Sequence, residues 1–255
     1  FKKTDFSYMR TGIMAGSPCP IKVMQDVQEK MNMTEVTIVY GQTEASPGCT
    51  QSSTDDSIEL RVNTVGKALP GMECKIVDPE TYEELPDGTD GEFVVRGYNI
   101  MKGYYKMPNA TAAAIDKDGW LHTGDLARRN NGYYKITGRL KDMIIRGGEN
   151  IYPKEIEDFI YTHPKVKDVQ VIGVPDEGYG EEIMAVVILK DNETMTEKEL
   201  KDYVRTHMAK HKTPRYVEFV EEFPMNAAGK ILKYKMRENA IEKLKLQKAN
   251  GIVTA

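Results

Sequence analysis

The chain has 255 residues, enough for one large domain or two smaller ones. Its composition, 40% hydrophobic and 29% charged, is that of an ordinary globular protein and excludes a disordered or fibrous chain. The net charge of -4 argues against a general nucleic-acid binder, and no apolar run is long enough to cross a bilayer.

Residues 1–49 read as the edge of an α/β layer. Gly12 and Gly16 are turn-like or close-approach positions. Pro20 opens a helix that carries Ile21, Met24, Val27 and Met31 on one broad face, read as core. A strand from Val36 to Tyr40 runs into the loop that begins at Gly41. In open α/β sheets, ligands sit beyond the carboxyl ends of the strands. Thr43 and Glu44, in that loop, are either site residues or a solvated turn. The chain opens at Phe1 with no visible signal peptide, so a truncated N-terminus is expected.

Residues 50–140 change character. Short β-rich runs, Cys74 to Val77 and Gly91 to Arg96, alternate with turn signals at Asp78-Pro79 and Pro86-Asp87-Gly88. The two-residue strand period sets Phe93 and Val95 opposite Val94. A small antiparallel sheet or distorted barrel is expected. Pro108 opens a brief helix through Ala114, Trp120 is read as packing, and Asn131-Gly132 marks a tight hairpin.

Residues 141–255 read as a separate α+β module. Around its start, a strand ending at Gly138, a charged link, a second strand from Met143 to Ile145 and a Gly147-Gly148 turn lead to a helix at Pro153. Glu155, Glu157 and Asp158 suit the positive end of that helix, which buries Ile156, Phe159 and Ile160. Strands are expected at Val169 to Val174, Met184 to Leu189 and Tyr216 to Val220. Thr196 and Glu199 form a capping box for a helix carrying Leu200, Tyr203, Val204 and Met208. A final helix is expected from Tyr234 to Ala249.

Cys19, Cys49 and Cys74 form no disulfide framework and fit a reducing, cytoplasmic compartment as buried small residues. The four histidines make no metal cluster; only His207 and His211 share helical spacing. A phosphate-bearing ligand needs donors and a cation, and a magnesium-nucleotide needs an acidic oxygen as well. Thr43 offers a hydroxyl and Glu44 a metal ligand. Asp125 offers a carboxylate for a ribose diol, while Arg139, Lys141, Arg146 and Lys230 are candidate cations. No nucleophile elbow, P-loop or Gly-x-Gly-x-x-Gly fingerprint is present.

Five motifs, in order along the chain, resemble those of adenylate-forming enzymes, specifically fatty acyl-CoA synthetases. They are Tyr40 to Glu44, Trp120 to Asp125, Tyr134 to Arg139, Lys141 to Gly148, and Pro224 to Lys230. Met14 to Pro20 is similar to members that use medium-chain or broad fatty acids. The resemblance implies a truncated adenylate-forming fold. It comprises the end of the large N-terminal α/β domain with a β-rich subdomain, then a mobile α+β C-terminal domain. It implies ATP, Mg2+ and coenzyme A, with a carboxylate attacking the α-phosphate and CoA then displacing AMP. Gly16, Ser17, Pro18 and Tyr40 would line the adenine and acyl side. Thr43 would contact phosphate, and Glu44 would hold magnesium. Asp125 and Arg139 would hold ribose, and Lys230 would bridge carboxylate and phosphate. Lys141 would be the hinge, Gly148 would lie by the pantetheine path, and Arg146 or Glu149 would touch CoA. A second copy, met through the large domain, is the expected protein partner.

The family's Ser/Thr/Gly-rich phosphate loop, which lies upstream of Tyr40, is absent from these residues, as is most of the acyl pocket. The 255 residues alone are therefore expected to be an inactive part of a ligase. The alternatives are an adenylating enzyme that loads a carrier protein and a non-catalytic nucleotide-binding fragment.

Overall fold

The computed structural model describes residues 3–226 and 230–246. The chain forms two compact units, Phe1–Thr137 and Gly138–Ala255.

The first unit begins as a βαβ element. Strand β1 (Thr11–Ala15) and strand β2 (Glu35–Gly41) pair in parallel, with α1 (Ile21–Met31) as the crossover. β3 (Gly48–Gln51) and β4 (Lys67–Ala68) extend the sheet antiparallel, in the order β1-β2-β3-β4. The α1 stripe packs through Met24, fully buried, and Val27, against Val36 and Ile38. Ile21 does not join it; it is 44% exposed, because the contact is centred one turn further on. A short helix, α2 (Ile58–Asn63), carries a buried Arg61 whose guanidinium donates to the carbonyls of Thr34, Val36, Thr54 and Asp56. Those four bonds compensate a cation taken out of water.

A second sheet has the order β5-β6-β7-β8, from β5 (Met72–Val77), β6 (Asp90–Gly97), β7 (Leu121–Asn130) and β8 (Tyr133–Arg139). α3 (Pro108–Ala114) precedes β7 and starts with its proline in the first turn. Asn131 (φ 51°) and Gly132 (φ 78°) make the two-residue turn between β7 and β8, whose left-handed angles suit those residue types. Strand β6 has no wet face: Gly91 to Val95 are all buried, Val94 as fully as Phe93 and Val95. The two-residue period orients these side chains, but both sides of the strand are covered.

The second unit is built on a sheet of order β10-β9-β12-β11, with β13 beside β12. Its strands are β9 (Ile144–Arg146), β10 (Glu149–Ile151), β11 (Val166–Asp176), β12 (Gly180–Leu189) and β13 (Tyr216–Phe219). Alternate residues of β12 face two cores. Ile183, Ala185 and Val187 join Ile156 and Ile160 of α4 (Pro153–Tyr161) with Leu200 and Val204 of α5 (Glu197–His207). Met184 and Val186 meet Met236 and Ala240 of α6 (Lys233–Leu244). Burial on both faces explains why β11 and β12 read as nearly continuous apolar runs. The Thr196 hydroxyl accepts from the Glu199 N–H, as the capping box requires.

Several expectations are corrected in this unit. Gly147-Gly148 is not a strand-to-helix turn. It is the two-residue turn of a β9–β10 hairpin, with both glycines at positive φ and Arg146 facing Glu149 across it. Glu157 is not a solvated dipole partner; it is buried and bonded to β11 and α6. Phe159 is only partly buried, stacked on Tyr203. α6 stops at Leu244, where Lys245 turns left-handed (φ 51°); residues 247–255, assigned in part to the helix, lie outside the described residues.

Candidate active site

The expected site residues are divided between the units. Gly16, Ser17, Pro18, Tyr40, Thr43, Glu44 and Asp125 fall in the first, and Arg139, Lys141, Arg146, Gly148, Glu149 and Lys230 in the second.

In the first unit, the carboxyl ends of β1 and β2 lie side by side, with Ala15 in register with Val39. Gly16, Ser17 and Pro18 leave β1 there, all exposed. Gly16 (φ +85°) has open space where a Cβ would stand. Leaving β2, the chain passes Gly41, where a Cβ would lie 1.5 Å from the Pro47 carbonyl oxygen, so only glycine fits. Thr43–Ala45 then form one 3-10 turn, with Thr43 exposed and Glu44 half-buried.

The Tyr40 phenol donates to Asp125 Oδ2 at 2.6 Å, joining segments 85 residues apart in sequence. Burial, and then the neighbouring Asp125 charge, hold the Tyr40 phenol far above its ordinary pKa, so it stays a neutral donor. Asp125 is set from the backbone side as well. Its N–H donates to Thr123 Oγ1 at 3.1 Å, and that hydroxyl donates to the Phe93 carbonyl at 2.5 Å. Buried Glu92 accepts from the Gly124 N–H and meets His122 Nδ1 at 2.8 Å. Glu44 accepts from the Tyr104 phenol at 2.8 Å through Oε1, and its backbone carbonyl accepts from the Met101 N–H. Tyr104 and Glu92 were not found from the sequence; each acts across tens of residues with no local motif. His122 and Thr123 lay unassigned inside the Trp120 to Asp125 motif.

Among the described residues, no three His, Cys, Asp or Glu side chains converge as a metal cage. Glu44, with Oε1 held by the Tyr104 phenol, would offer a single carboxylate to a magnesium ion, which needs few protein ligands beside phosphate and water. A cleft of about 250 Å³ lined by Ser52, Asp56, Lys67 and Tyr133 contains none of the expected site residues.

In the second unit, Lys141 is exposed within a single 3-10 turn, Leu140–Asp142, and Arg139 ends β8 half-buried. Arg146 is engaged: its guanidinium pairs with buried Glu182 at 2.8 Å and lies over the Tyr179 ring. The Gly147 N–H donates to the Tyr179 carbonyl at 2.8 Å. Gly148 has nothing within 4 Å of its Cβ position, and Glu149 is exposed beside it. Lys230 is exposed, and its backbone is pinned: its N–H donates to Asn226 Oδ1 and its carbonyl accepts from the Asn226 N–H, each at 2.9 Å. Met225 and Ile231 bridge across the same loop.

The first unit thus holds a phenol–carboxylate contact near parallel strand ends, and the second presents a lysine on a pinned loop. Residues 1–105 match the AMP-binding enzyme family, and residues 155–230 match the AMP-binding enzyme C-terminal domain. The chain belongs to this adenylate-forming family and holds part of its fold. It is 57% identical over 247 residues to YngI of Bacillus subtilis, named as an acyl-CoA synthetase, covering 96% of this chain and 45% of that protein. It is 44% identical to the mitochondrial medium-chain acyl-CoA ligase ACSF2 of Bos taurus, covering 96% and 40%. The chain thus spans less than half the length of these relatives. Among solved structures, ATP-bound MatB from Rhodopseudomonas palustris superposes with a TM-score of 0.81 at 38% identity, covering 89% of this chain and 45% of that one. The amide bond synthetase McbA from Marinactinospora thermotolerans gives 0.81 at 34%, covering 93% and 48%. No described helix is long and apolar enough to cross a membrane.

Proposed function

We propose that this chain is part of an ATP-dependent fatty acid:CoA ligase that works through an acyl-AMP intermediate. The observation that carries the reading is the Tyr40–Asp125 hydrogen bond, which seats a ribose-type carboxylate beside the loop leaving β2. Asp125 would accept from a ribose diol, and Arg139 would assist at the ribose. Thr43 donates to phosphate. Magnesium at Glu44 would neutralise phosphate charge. Gly16, Ser17 and Pro18 leave the backbone open to the adenine and acyl side. Lys230 brings a compact positive charge to the substrate carboxylate and the α-phosphate oxygens. Lys141 serves as the hinge between the half-reactions. Gly148 leaves room for the pantetheine arm, with Glu149 and the remaining donors of Arg146 at its rim.

A medium-chain or broad fatty acid is the proposed substrate, supported by the name of the ACSF2 relative, a medium-chain acyl-CoA ligase. Three free cysteines suit a cytoplasmic setting, and a homodimer through the large domain is the proposed assembly. The second reading, transfer of the acyl group to an acceptor other than CoA, is favoured by the likeness to an amide bond synthetase.

The test uses the complete parent enzyme with ATP, magnesium and straight-chain acids of increasing length, each with and without CoA. Acyl-CoA, AMP and pyrophosphate are the expected products, with a maximum at medium chains. Lys230→Ala should slow acyl-AMP formation by roughly two to three powers of ten, and spare thioester formation from supplied acyl-AMP. Acyl-AMP that is released but never passed to CoA would favour the second reading. Adenylation at the wild-type rate in Lys230→Ala would refute the assigned role.

A further inference from the structure

The loop carrying Lys230 is rooted at its far side by a contact that neither the family motifs nor the proposed chemistry uses. Lys233, three residues on, opens α6. Its Nζ donates to Glu157 Oε1 at 2.6 Å and to the Val171 carbonyl at 3.1 Å. The same Glu157 oxygen accepts from the Val171 N–H at 2.8 Å. Ammonium, carboxylate and the backbone N–H and C=O of one β11 residue, Val171, thus close a ring that ties α4, β11 and α6 at a single point. The side chains of Glu157 and Lys233 are only 10% and 22% exposed.

The other root of the loop is apolar. Phe223 is buried in the core beneath α6, and the Leu232 N–H donates to the Pro224 carbonyl at 2.8 Å. Apolar contacts alone tolerate sliding, whereas a desolvated ion pair with directional hydrogen bonds has one register. Three residues span about 10 Å even when extended, so fixing Lys233 confines where Lys230 stands. The loop is also tied by the paired Asn226–Lys230 bonds and the Met225–Ile231 bridge, and Ile231 packs on the same core as Phe223.

We propose that Lys233 and Glu157 are positioning residues that hold the Lys230 loop in register for acyl-AMP formation. The proposal rests on the reading of Lys230 given above. Misplacement of a reacting group by about 1 Å is enough to cost on the order of 100-fold in rate.

The experiment compares Lys233→Met, Lys233→Arg and the double variant Glu157→Leu/Lys233→Met in the complete parent enzyme. Single-turnover acyl-AMP formation is measured separately from thioester formation out of supplied acyl-AMP and CoA. Lys233→Met should lower the first about 10- to 100-fold and leave the second within about two-fold. Lys233→Arg, which keeps the charge, should restore most of the loss. The double variant removes both charges, so it should fold without a buried unpaired ion and still adenylate slowly. In the 255-residue chain, Lys233→Met should speed amide hydrogen exchange at Asn226 and Lys230 while α5 keeps its protection. Equal losses in both half-reactions, or full adenylation by the double variant, would overturn the proposal. Unchanged exchange at Asn226 and Lys230 would do the same. Lys230→Ala runs beside these: intact adenylation there removes the catalytic reading of Lys230, while the exchange result still decides the anchor.

Discussion

Asp125 shows what burial does to neighbouring groups. The thiol of Cys49, itself buried, is pushed up to about 12, first by desolvation and then by the Asp125 charge. Cys74 is pushed up to about 12 by burial as well, with Cys49 as the lesser cause. The thiolate is the reactive species, and at pH 8 a pKa near 12 leaves a fraction of order 10⁻⁴. A thiol-alkylating reagent at pH 8 should therefore label Cys49 and Cys74 only after denaturant is added, as peptide mass spectrometry would read. Labelling of Cys49 in the native chain at the rate of a free thiol would contradict its burial. The sequence reading of all three cysteines as buried holds for Cys49, while Cys19 and Cys74 are half-buried; the Asp125 contribution was not legible, since 76 residues separate it from Cys49.

At the scale of elements, α4 and α5 meet over His163, which is buried. Its Nδ1 accepts from the Lys165 N–H at 3.2 Å, and its ring stands edge-on to Tyr203 with centroids 4.6 Å apart. Desolvation holds its pKa below the ordinary 6.5, against the raising effect of Glu199 and Glu193 and with the lesser lowering effect of Lys165 and Lys190. Protonation would also turn the accepting nitrogen into a donor facing an N–H. As pH falls through about 6.5, the unfolded chain takes up a proton that the folded one refuses. The second unit should therefore lose stability as pH falls below that value and regain it as pH rises. Urea midpoints from about pH 5 to about pH 7.5 should show this slope in the wild type and less of it in His163→Phe. Identical slopes would assign the effect elsewhere. The sequence made most of these elements legible, because α4 and α5 carry apolar periodicity and β11 and β12 carry apolar runs. It hid β10, since Glu149-Asn150-Ile151 has one apolar residue and depends on pairing with β9. It misplaced the end of α6, because a lysine, not a glycine, takes the left-handed angle there. It hid the Glu157 ion pair, because its partner lies 76 residues away.

Over the whole molecule, the motifs were legible as a series, but their grouping into two units follows from contacts made at a distance. The Tyr40–Asp125 bond and the Glu44–Tyr104 bond, both within the first unit, join residues 85 and 60 apart in sequence. The β11–β12 pair is of the opposite kind. Its ladder runs unbroken from Asp168 opposite Ile188 to Asp176 opposite Gly180, and the Asp176 carboxylate caps the turn by accepting from the Gly178 and Tyr179 N–H groups. A long ladder closed by a short turn has a low entropic cost of closure, so the pair should nucleate the second unit during refolding. α6 must return across some 60 residues to pack on the same sheet and should arrive later. Pulsed hydrogen exchange during refolding of the full chain should show amides of Val169 to Val174 and Ile183 to Val187 protected before those of α6. Gly180→Ala, strained at φ 78°, should delay protection throughout the unit. Earlier protection of α6 would place the nucleus at the opposite face of the sheet. On this order of events, the Lys230 loop takes its shape only at the last step, when the helix that follows it docks.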